Sequence, residues 1–288
     1  MREAEMSGAP QGKAGTGSTE ITAENFAFLQ EQIYRDSGIV LEAGKQYLVE
    51  ARLAPIVREH GLGSINDLCA LLRAVTSDGL RRKVVEAMTT NETQFFREPA
   101  QYEALRTTVL AELLAQRRSP RPLNCWSAAA STGQEAYSLA MLAAEMGLGP
   151  WDMQILGTDL AESVLERARR ARYSQLEVNR GLPAAYLVKY FTRQGLEWIL
   201  KDEIRSRVRF QRHDLRDSAR HLGPFDLVFC RNVLIYFDTE TKRRILRQVR
   251  EAMYPGGYLL LGAVETILDL EDLFERKRVG QAILYQAR

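Results

Sequence analysis

The apolar residues between Glu20 and Met88 recur three or four positions apart, which predicts four amphipathic helices. Gly38 and Gly61 should end the first two helices, and Pro55 should kink the second. The four apolar stripes are Phe26, Leu29 and Ile33; Leu48, Leu53, Ile56 and Val57; Leu68, Leu71, Leu72 and Val75; and Leu80, Val84, Val85 and Met88. We therefore predict that this region forms a small all-helical domain.

From about Arg97 onward, short apolar runs alternate with helical stretches, the first of which is predicted to begin at Pro99. A later helix, at 239–253, should stop at the Pro-Gly-Gly run 255–257. Buried parallel strands are predicted at 123–129, 153–158, 208–213, 225–230 and 258–262, with an edge strand at 278–285. Alternating strands and helices build a doubly wound, Rossmann-like α/β sheet, which binds its ligand at the carboxyl ends of the strands.

Two stretches fall outside this alternation. Residues 1–19 are rich in Gly, Ala, Ser and Thr and lack an apolar segment, so we predict a disordered tail rather than a signal peptide or anchor. After Gly181, a predicted helix at 182–191 is followed by 195–200, which could be a short insert or a small sheet of its own. The predicted organisation is a tail at 1–19, a helical domain at 20–88 and a second domain at 89–288, with a small insert near 192–207.

The composition disfavours several function classes. The 288 residues are 45% hydrophobic and 26% charged, as in an ordinary globular protein, and the formal net charge is only +2. That balance does not supply the polycationic surface of a nucleic-acid-binding protein. No apolar stretch approaches the length needed to span a bilayer, so no direct membrane insertion is expected. Cys69, Cys125 and Cys230 lie far apart without metal-ligand spacing, which predicts no metal site and fits a cytoplasmic location.

The loop after the first strand, residues 127–135, indicates which ligand the sheet binds. It contains one glycine, whereas a dinucleotide fold uses Gly-x-Gly-x-x-Gly, so NAD is disfavoured. Glu135 would repel a pyrophosphate but attract a cationic amino group, and Asp159, at the end of the second strand, can accept hydrogen bonds from ribose hydroxyls. S-adenosylmethionine satisfies both. Alternatively, Glu135 is only an acidic residue favoured in the first turn of a helix.

Three segments of the chain resemble one known family. The runs 89–97 (TTNETQFFR), 126–135 (WSAAASTGQE) and 229–237 (FCRNVLIYF), with Ser37-Gly-Ile-Val in the helical domain, are similar to the CheR-type chemotaxis receptor protein-glutamate O-methyltransferases. The resemblance covers almost the whole chain after the tail. It implies that an S-adenosylmethionine-dependent domain converts receptor glutamates to methyl esters for sensory adaptation, with S-adenosylhomocysteine as product. The implied partner is the cytoplasmic helical domain of methyl-accepting chemoreceptors.

The resemblance also implies which residues form the site. Cofactor-binding positions are matched by Asn91, Thr93, Arg97, Glu135, Asp159, Asp214, Leu215, Asn232 and Val233, and catalytic positions by Arg97 and Tyr236. Asp214 stands where the family often has Asn, and an ionised Asp can accept from an adenine amino group but cannot donate. Each residue also has an ordinary structural alternative. Arg97 could cap a helix and Tyr236 could be a core aromatic, while Asp159 and Asn232 could form turns.

Methylation of a carboxylate requires little acid–base chemistry. A glutamate side chain, with a reference pKa of about 4.3, is already ionised at neutral pH, and the cofactor supplies a cationic leaving group. No general base is needed, which agrees with the absence of an obvious Ser/His/Asp or Cys/His pattern in the sequence. We expect Arg97 to orient the substrate carboxylate by a forked hydrogen bond and Tyr236 to shape the space around the methyl group.

Substrate docking is where the sequence departs from the family. Arg52 and Arg58 match a basic second helix that, by resemblance, docks on the receptor. Residues 20–90, however, hold eight Lys or Arg and ten Asp or Glu, a net charge of −2, so a solvated helix face is the alternative. The run 262–265 (Gly-Ala-Val-Glu) replaces the Gly-His-Ser-Glu common in the family, and it predicts no role. Some members grip a receptor's terminal peptide near 192–207, and we expect no such tether here.

Two other function classes are compatible with the sequence. An S-adenosylmethionine-binding signalling scaffold would keep the fold without turnover, but it would not need Arg97, Asn232 and Tyr236 together. A methyltransferase acting on RNA or DNA would need a basic groove with stacking aromatic side chains. The near-neutral charge of the chain disfavours that class.

Overall fold

The computed structural model describes residues 20–74, 78–116 and 121–288. The predicted tail and the predicted apolar position Val75 lie outside these ranges. The helical domain contains α1 (Ala23–Ser37), α2 (Gln46–Glu59), α3 (Ile65–Ala74) and α4 (Asp78–Met88). Its centre is formed by completely buried aliphatic side chains, including Leu29, Ile33, Val49, Leu53, Leu68 and Val84. The four predicted helices are therefore confirmed, and α2 continues through Pro55.

The limits of α1 follow from its end residues. At the start, the Thr22 side chain accepts a hydrogen bond from the backbone N–H of Asn25 (3.2 Å). At the end, Gly38 has φ +74° and donates its N–H to the carbonyl of Tyr34. Glycine adopts this left-handed conformation without the steric cost of a Cβ atom, which is why it commonly ends helices.

The second domain is built from strands and helices in alternation. Within the described residues its strands are β1 (Leu123–Ala128), β2 (Met153–Asp159), β3 (Arg172–Ser174), β4 (Phe191–Gln194), β5 (Glu197–Leu200), β6 (Val208–Arg212), β7 (Phe225–Cys230), β8 (Met253–Leu261), β9 (Phe274–Val279) and β10 (Ala282–Ala287). Its helices are α5 (Pro99–Ala104), α6 (Leu110–Gln116), α7 (Gln134–Glu145), α8 (Glu162–Arg170), α9 (Gln175–Asn179), α10 (Ala184–Tyr190), α11 (Asp202–Arg205) and α12 (Thr239–Glu251). One π-helical turn, Leu105–Val109, joins α5 to α6.

Seven strands form the main sheet in the order β6-β2-β1-β7-β8-β10-β9. The pairs from β6 to β8 are parallel, and β10 and β9 continue the sheet antiparallel. β7 is buried along its whole length, with Phe229 in the core that contains α7 and Cys230 in the core that contains α12. The chain order reverses between β1 and β7, and ligands of such sheets bind at this crevice. The predicted doubly wound α/β fold is confirmed.

The prediction of a single edge strand at 278–285 was wrong. Residues 278–285 form parts of two antiparallel strands, β9 and β10, joined by a turn at Gly280 (φ +59°) and Gln281. β10 lies between β8 and β9, so the edge of the sheet is β9. The limits of α12 and β8 also differ from expectation, because β8 begins at Met253 and runs through the Pro-Gly-Gly run, with a register shift opposite β7. Glycine within a strand is typical of such irregular pairing.

The region after α8 is a small sheet of its own, in the order β3-β5-β4 with antiparallel pairing. This resolves the alternative left open by the sequence. Phe95, which is completely buried, packs edge-on against Tyr173 (5.1 Å between ring centroids) and Phe191 (5.8 Å). The Tyr173 hydroxyl donates to the carbonyl of Thr132 (2.9 Å). The small sheet therefore supports both the segment before α5 and the loop before α7.

The two domains contact each other in the last turn of α1 and just after it. The backbone N–H of Val40 donates to the carbonyl of Tyr236 (2.9 Å), and the Tyr34 hydroxyl donates to Asp238 (2.8 Å). At a second place, Glu86 of α4 accepts hydrogen bonds from the backbone of Glu162 (3.1 Å), at the start of α8. Among the described residues, no helix has both the length and the apolar character to cross a bilayer.

Candidate active site

A cavity lies where the two domains meet, at the carboxyl ends of the parallel strands, and it encloses about 920 Å³ including space that is open to solvent. All ten residues predicted for cofactor binding and catalysis line it: Asn91, Thr93, Arg97, Glu135, Asp159, Asp214, Leu215, Asn232, Val233 and Tyr236. The helical domain contributes Ser37 and Ile39 to the wall. The cavity therefore needs both domains to be complete.

Glu135 lies in the first turn of α7. The residue before this helix, Gly133, has a φ of +93° and so adopts a left-handed conformation at the turn into the helix. The two carboxylate oxygens of Glu135 have separate donors: the Ser127 hydroxyl (2.7 Å) and the Arg231 guanidinium (3.1 Å). Burial raises the pKa of Glu135, and the charge of Arg231 opposes that rise. The carboxylate is thus held in a fixed orientation at the cavity wall.

Asp159 ends β2 and is 7% exposed. It accepts hydrogen bonds from the backbone N–H groups of Ser131 (2.9 Å) and Ala161 (3.0 Å). Burial raises the pKa of Asp159, whereas these backbone donors lower it. Ser131 has φ +51°, and its hydroxyl donates to the carbonyl of Asn91 (2.8 Å). Ser131 therefore links Asp159 to the segment that enters from the helical domain.

The backbone around Arg97 is strained. Phe96 and Glu98 have φ values of +47° and +60°, which are uncommon for residues with side chains. The N–H of Phe96 donates to the buried Ser138 hydroxyl (2.9 Å), and the carbonyl of Arg97 accepts from Arg231 (2.5 Å). Within the described ranges, the Arg97 guanidinium makes no hydrogen bond or salt bridge. Arg97 lines the cavity with its hydrogen-bond donors unpaired, and its charge adds to that of Arg180 in lowering the pKa of the nearby Glu92.

Arg231 is a site residue that the sequence analysis missed. Its side chain is 1% exposed and forms ion pairs with Glu135 (3.1 Å) and Glu98 (3.5 Å). Burial alone would lower the pKa of Arg231, but the neighbouring carboxylates raise it, so the guanidinium stays charged. A buried arginine needs such partners. Arg231 lies inside the motif 229–237, which could have indicated a role in the site. It directly follows a buried strand, however, and the sequence pattern did not distinguish it from a core residue.

Glu265 is a second residue for which no role was predicted. Its carboxylate accepts hydrogen bonds from the backbone N–H groups of Asn232 (2.7 Å), Leu234 (2.8 Å) and Gly262 (2.7 Å). Asn232 has φ +56°, so the turn after β7 is held in an unusual conformation. At Gly262 a Cβ atom would lie 2.6 Å from the Asn232 amide nitrogen. Glu265 therefore fixes the turn that presents Asn232 and Val233.

Asp214 is bound on both carboxylate oxygens by Arg216, at distances of 2.6–3.1 Å.

His213, which the sequence analysis did not assign to the site, also lines the cavity. Burial lowers the pKa of His213, so its neutral form is favoured. Tyr236 lies in a short 3-10 turn, Leu234–Tyr236, and is half-buried.

Arg52 and Arg58, predicted to dock the substrate, are not part of the cavity. Arg52 donates to the carbonyls of Met88 (2.6 Å) and Thr89 (3.1 Å) and to the Thr90 hydroxyl (2.8 Å). It therefore fastens the segment between α4 and the cavity. Arg58 is exposed on α2. Docking by these two residues stays a prediction.

The lining of the cavity fits S-adenosylmethionine. Two carboxylates of the wall, the largely shielded Glu135 and the buried Asp159, suit its cationic amino group and its ribose hydroxyls. Three buried polar atoms of residues in the wall, Asn232 Oδ1, His213 Nε2 and Arg231 Nε, have no hydrogen-bond partner within the described part of the chain. Unpaired buried polar atoms are rare in native proteins, and a ligand that pairs with them removes the cost. The wall thus offers carboxylates to positively charged or hydroxyl groups of a ligand, and it has further polar atoms left to pair with one.

Comparisons with known proteins agree with this site. A family model described as "CheR methyltransferase, SAM binding domain" matches residues 91–283, and one described as "CheR methyltransferase, all-alpha domain" matches residues 24–89. Chemotaxis protein methyltransferase Cher2 of Pseudomonas putida is 40% identical over 272 residues, and chemotaxis protein methyltransferase 1 of Pseudomonas aeruginosa is 42% identical over 270 residues. Each alignment covers 92% of this chain and 98% of the relative. The predicted cofactor, S-adenosylmethionine, is confirmed. The chain belongs to the CheR methyltransferase family.

Proposed function

We propose that this protein transfers a methyl group from S-adenosylmethionine to glutamate side chains of chemoreceptors, forming methyl esters for sensory adaptation. One observation carries the proposal. Of the two arginines that line the cavity, Arg231 is paired with Glu135 and Glu98, whereas Arg97 has no hydrogen bond or salt bridge to any described residue. An uncommitted guanidinium can bind a carboxylate through two parallel hydrogen bonds.

S-adenosylmethionine, when bound, supplies a methyl group on a positively charged sulfur. Glu135 would hold its amino group, and Asp159 its ribose. The pairs at 214–215 and 232–233 would complete the contacts. For this role Glu135 must be ionised, and the donors Ser127 and Arg231 favour its ionised form although burial opposes it. These assignments rest on the placement of the side chains around one cavity.

Arg97 would orient the substrate carboxylate. Two hydrogen bonds fix its backbone: the Phe96 N–H donates to the Ser138 hydroxyl, and the Arg231 guanidinium donates to the Arg97 carbonyl. A side chain that projects from a fixed backbone loses less conformational freedom when it binds its substrate. No residue needs to remove a proton, because a glutamate side chain is already ionised at neutral pH.

Tyr236 would limit the space around the transferred methyl group and help to exclude water. Its turn is anchored twice, through Glu265 at the backbone of Leu234 and through the N–H of Val40 from the helical domain. Exclusion of water strengthens the attraction between the carboxylate and the charged sulfur. Closure by the helical domain is therefore part of the proposed chemistry.

The test uses labelled S-adenosylmethionine, purified receptor cytoplasmic domains and an assay for base-labile methyl esters. Arg97→Ala should lower kcat/KM for the receptor about 100-fold or more, which corresponds to about 3 kcal/mol. The Kd for S-adenosylhomocysteine should change much less. Arg97→Lys should restore only part of the rate, since an ammonium group cannot form the two-pronged contact.

Arg170→Ala is the matched control, because Arg170 is an exposed arginine on α8 that does not line the cavity. Undiminished methyl transfer by Arg97→Ala would remove the role proposed for Arg97. Tight cofactor binding with no transfer to any receptor would point to a signalling scaffold. Label that appears only on nucleic acid would contradict the proposed substrate.

The partner and location follow from the same proposal. The substrate would be the cytoplasmic helical domain of a methyl-accepting chemoreceptor, so the protein would act in the cytoplasm. The relatives named above are chemotaxis protein methyltransferases, which supports a receptor as the methyl acceptor.

A further inference from the structure

Arg216 joins the two domains at the cavity. Its guanidinium donates to the carbonyls of Arg35 (2.9 Å) and Asp36 (2.7 Å) in the last turn of α1, and it also contacts the Tyr34 carbonyl (3.5 Å). The same guanidinium binds both carboxylate oxygens of Asp214 in the second domain. One side chain thus spans from a helix end in one domain to a cavity residue in the other.

The chemistry of the helix end explains why an arginine suits this place. The last carbonyls of a helix have no partner within the helix and carry partial negative charge. Arginine presents several donors in a rigid fork, so it can satisfy these carbonyls and a carboxylate together. Only 18% of the Arg216 side chain and 16% of that of Asp214 are exposed, so the contact is largely shielded from water.

Both ends of this contact continue directly into the cavity wall. On the α1 side, Ser37 and Ile39 follow the bound carbonyls and line the cavity. On the other side, Asp214 and Leu215 line it, immediately before Arg216 in the chain. A change in the position of Arg216 would therefore shift two parts of the wall, one from each domain.

The fit at Gly38 is tight. A Cβ atom built there would lie 2.8 Å from Cδ of Arg216 and 3.3 Å from the ring of Phe237. The arginine stem thus occupies the space that a side chain at Gly38 would need. The two domains are packed against each other at this point, and not only hydrogen-bonded.

We propose that Arg216 is a positioning residue that couples the helical domain to cofactor binding, by holding the loop after α1 next to the Asp214–Leu215 segment in the cavity wall. The proposal rests on the cofactor contacts proposed above for Asp214 and Leu215. Arg216 donates to both carboxylate oxygens of Asp214. Asp214 would therefore affect cofactor binding mainly by keeping this part of the wall in place. Arg216 itself does not line the cavity.

The test measures the Kd for S-adenosylhomocysteine by calorimetry, the KM for S-adenosylmethionine, and kcat. Arg216→Ala should raise Kd and KM about tenfold, which is the effect of one charged hydrogen-bond contact, and leave kcat at saturating cofactor within about twofold. A general loss of folded protein would lower kcat and leave KM unchanged. Arg216→Lys should give an intermediate Kd.

Hydrogen exchange supplies a second readout. In the unaltered protein, S-adenosylhomocysteine should slow exchange of the amides at 37–40, and Arg216→Ala should abolish that protection. Gly38→Ala disturbs the same contact from the helical domain without removing a charge. It should also raise the Kd for S-adenosylhomocysteine, so the proposal can be tested even if Arg216→Ala does not fold.

Two controls isolate the contact. Arg220→Ala removes an exposed arginine of the same loop that pairs with Glu251, and Tyr34→Phe removes an interdomain hydrogen bond outside the cavity. Neither should change Kd. Asn232→Ala tests the cofactor site itself. Wild-type Kd in Arg216→Ala and Gly38→Ala, with weakened binding in Asn232→Ala, would overturn the coupling alone. Unchanged binding in all three would overturn the proposed site as well.

Discussion

At the scale of single residues, the site depends on largely shielded carboxylates whose charge is supported by fixed donors. Glu135 is the clearest case, because burial raises its pKa while Arg231 and Ser127 lower it. A carboxyl group with a raised pKa in the folded state favours its proton. Its contribution to stability is therefore largest at acidic pH and is lost as the pH rises through the folded-state pKa. A cationic ligand at Glu135 shifts this balance towards the ionised form.

This balance predicts a pH dependence of cofactor affinity. As the pH falls from neutral towards the folded-state pKa of Glu135, affinity for S-adenosylmethionine should weaken, and binding should release protons. Calorimetry in buffers of different ionisation enthalpy measures the proton count. Glu135→Gln should bind weakly, with a flatter pH profile.

Glu145→Gln is the control for that prediction. Glu145 ends the same helix, but its pKa is lowered, chiefly by hydrogen bonds from Lys189 and Tyr190. This variant should keep the wild-type profile. Proton uptake on binding, or an unchanged profile in Glu135→Gln, would contradict the role given to Glu135.

At the scale of elements, the cavity is shaped by turns after the strands rather than by the strands themselves. The turn after β7 depends on Glu265, which accepts three backbone N–H groups and lies beyond the end of β8. Two neighbouring parallel strands are thereby joined at their carboxyl ends. This bond network holds Asn232 in its left-handed conformation.

Glu265→Gln should therefore weaken both the fold and the site. An amide replaces one acceptor oxygen by a donor, so one backbone N–H loses its partner, at a cost of about 1–3 kcal/mol in the free energy of unfolding. The Kd for S-adenosylhomocysteine should rise as well. Urea unfolding and calorimetry measure the two effects. Glu271→Gln, an exposed acid after the same strand, should stay within about 0.5 kcal/mol of the unaltered protein.

Most elements could be predicted from the sequence, because apolar periodicity and glycine positions are local signals. The four N-terminal helices and the parallel strands followed from these signals alone. The β9–β10 hairpin was missed because Gly280 was treated as part of one strand, although its φ of +59° makes it a turn residue. The register shift of β8 depends on its partner β7, which no local pattern contains.

The residues assigned to the site from the motifs all line the cavity, but residues that act by holding other parts of the site were not found. Arg231, Glu265 and Arg216 were missed for a common reason: each acts through a partner distant in the sequence. Arg231 contacts Glu135, Glu265 contacts the turn after β7, and Arg216 contacts the end of α1. Such pairings exist only after the chain has folded.

At the scale of the whole molecule, two helix ends are completed by the opposite domain. Glu86 of the helical domain accepts hydrogen bonds at the start of α8, and Arg216 of the second domain donates at the end of α1. Each charge has the sign that the helix dipole favours. The helical domain is thus fixed relative to the cavity at two separate places.

Arg52 and Arg58, the two residues predicted to dock the substrate, should have different effects when they are replaced. Arg52→Ala should lower thermal stability and raise the KM for S-adenosylmethionine, because Arg52 holds the segment at 88–90. Arg58→Ala should raise only the KM for the receptor, since Arg58 is exposed. Steady-state kinetics with each substrate varied in turn distinguishes the two, with the exposed Arg82→Ala as control. Equal effects of both variants on the receptor KM alone would favour docking by both residues.

The cavity wall is assembled from segments that are far apart in the chain, from Ser37 to Phe237. A ligand that recognises the complete wall has nothing comparable to bind in a partly folded chain. By mass action, it therefore adds to the free energy of unfolding in proportion to the logarithm of its concentration above Kd. The cellular supply of S-adenosylmethionine would then act as a folding aid, and a depleted pool would leave more of this protein open to proteases.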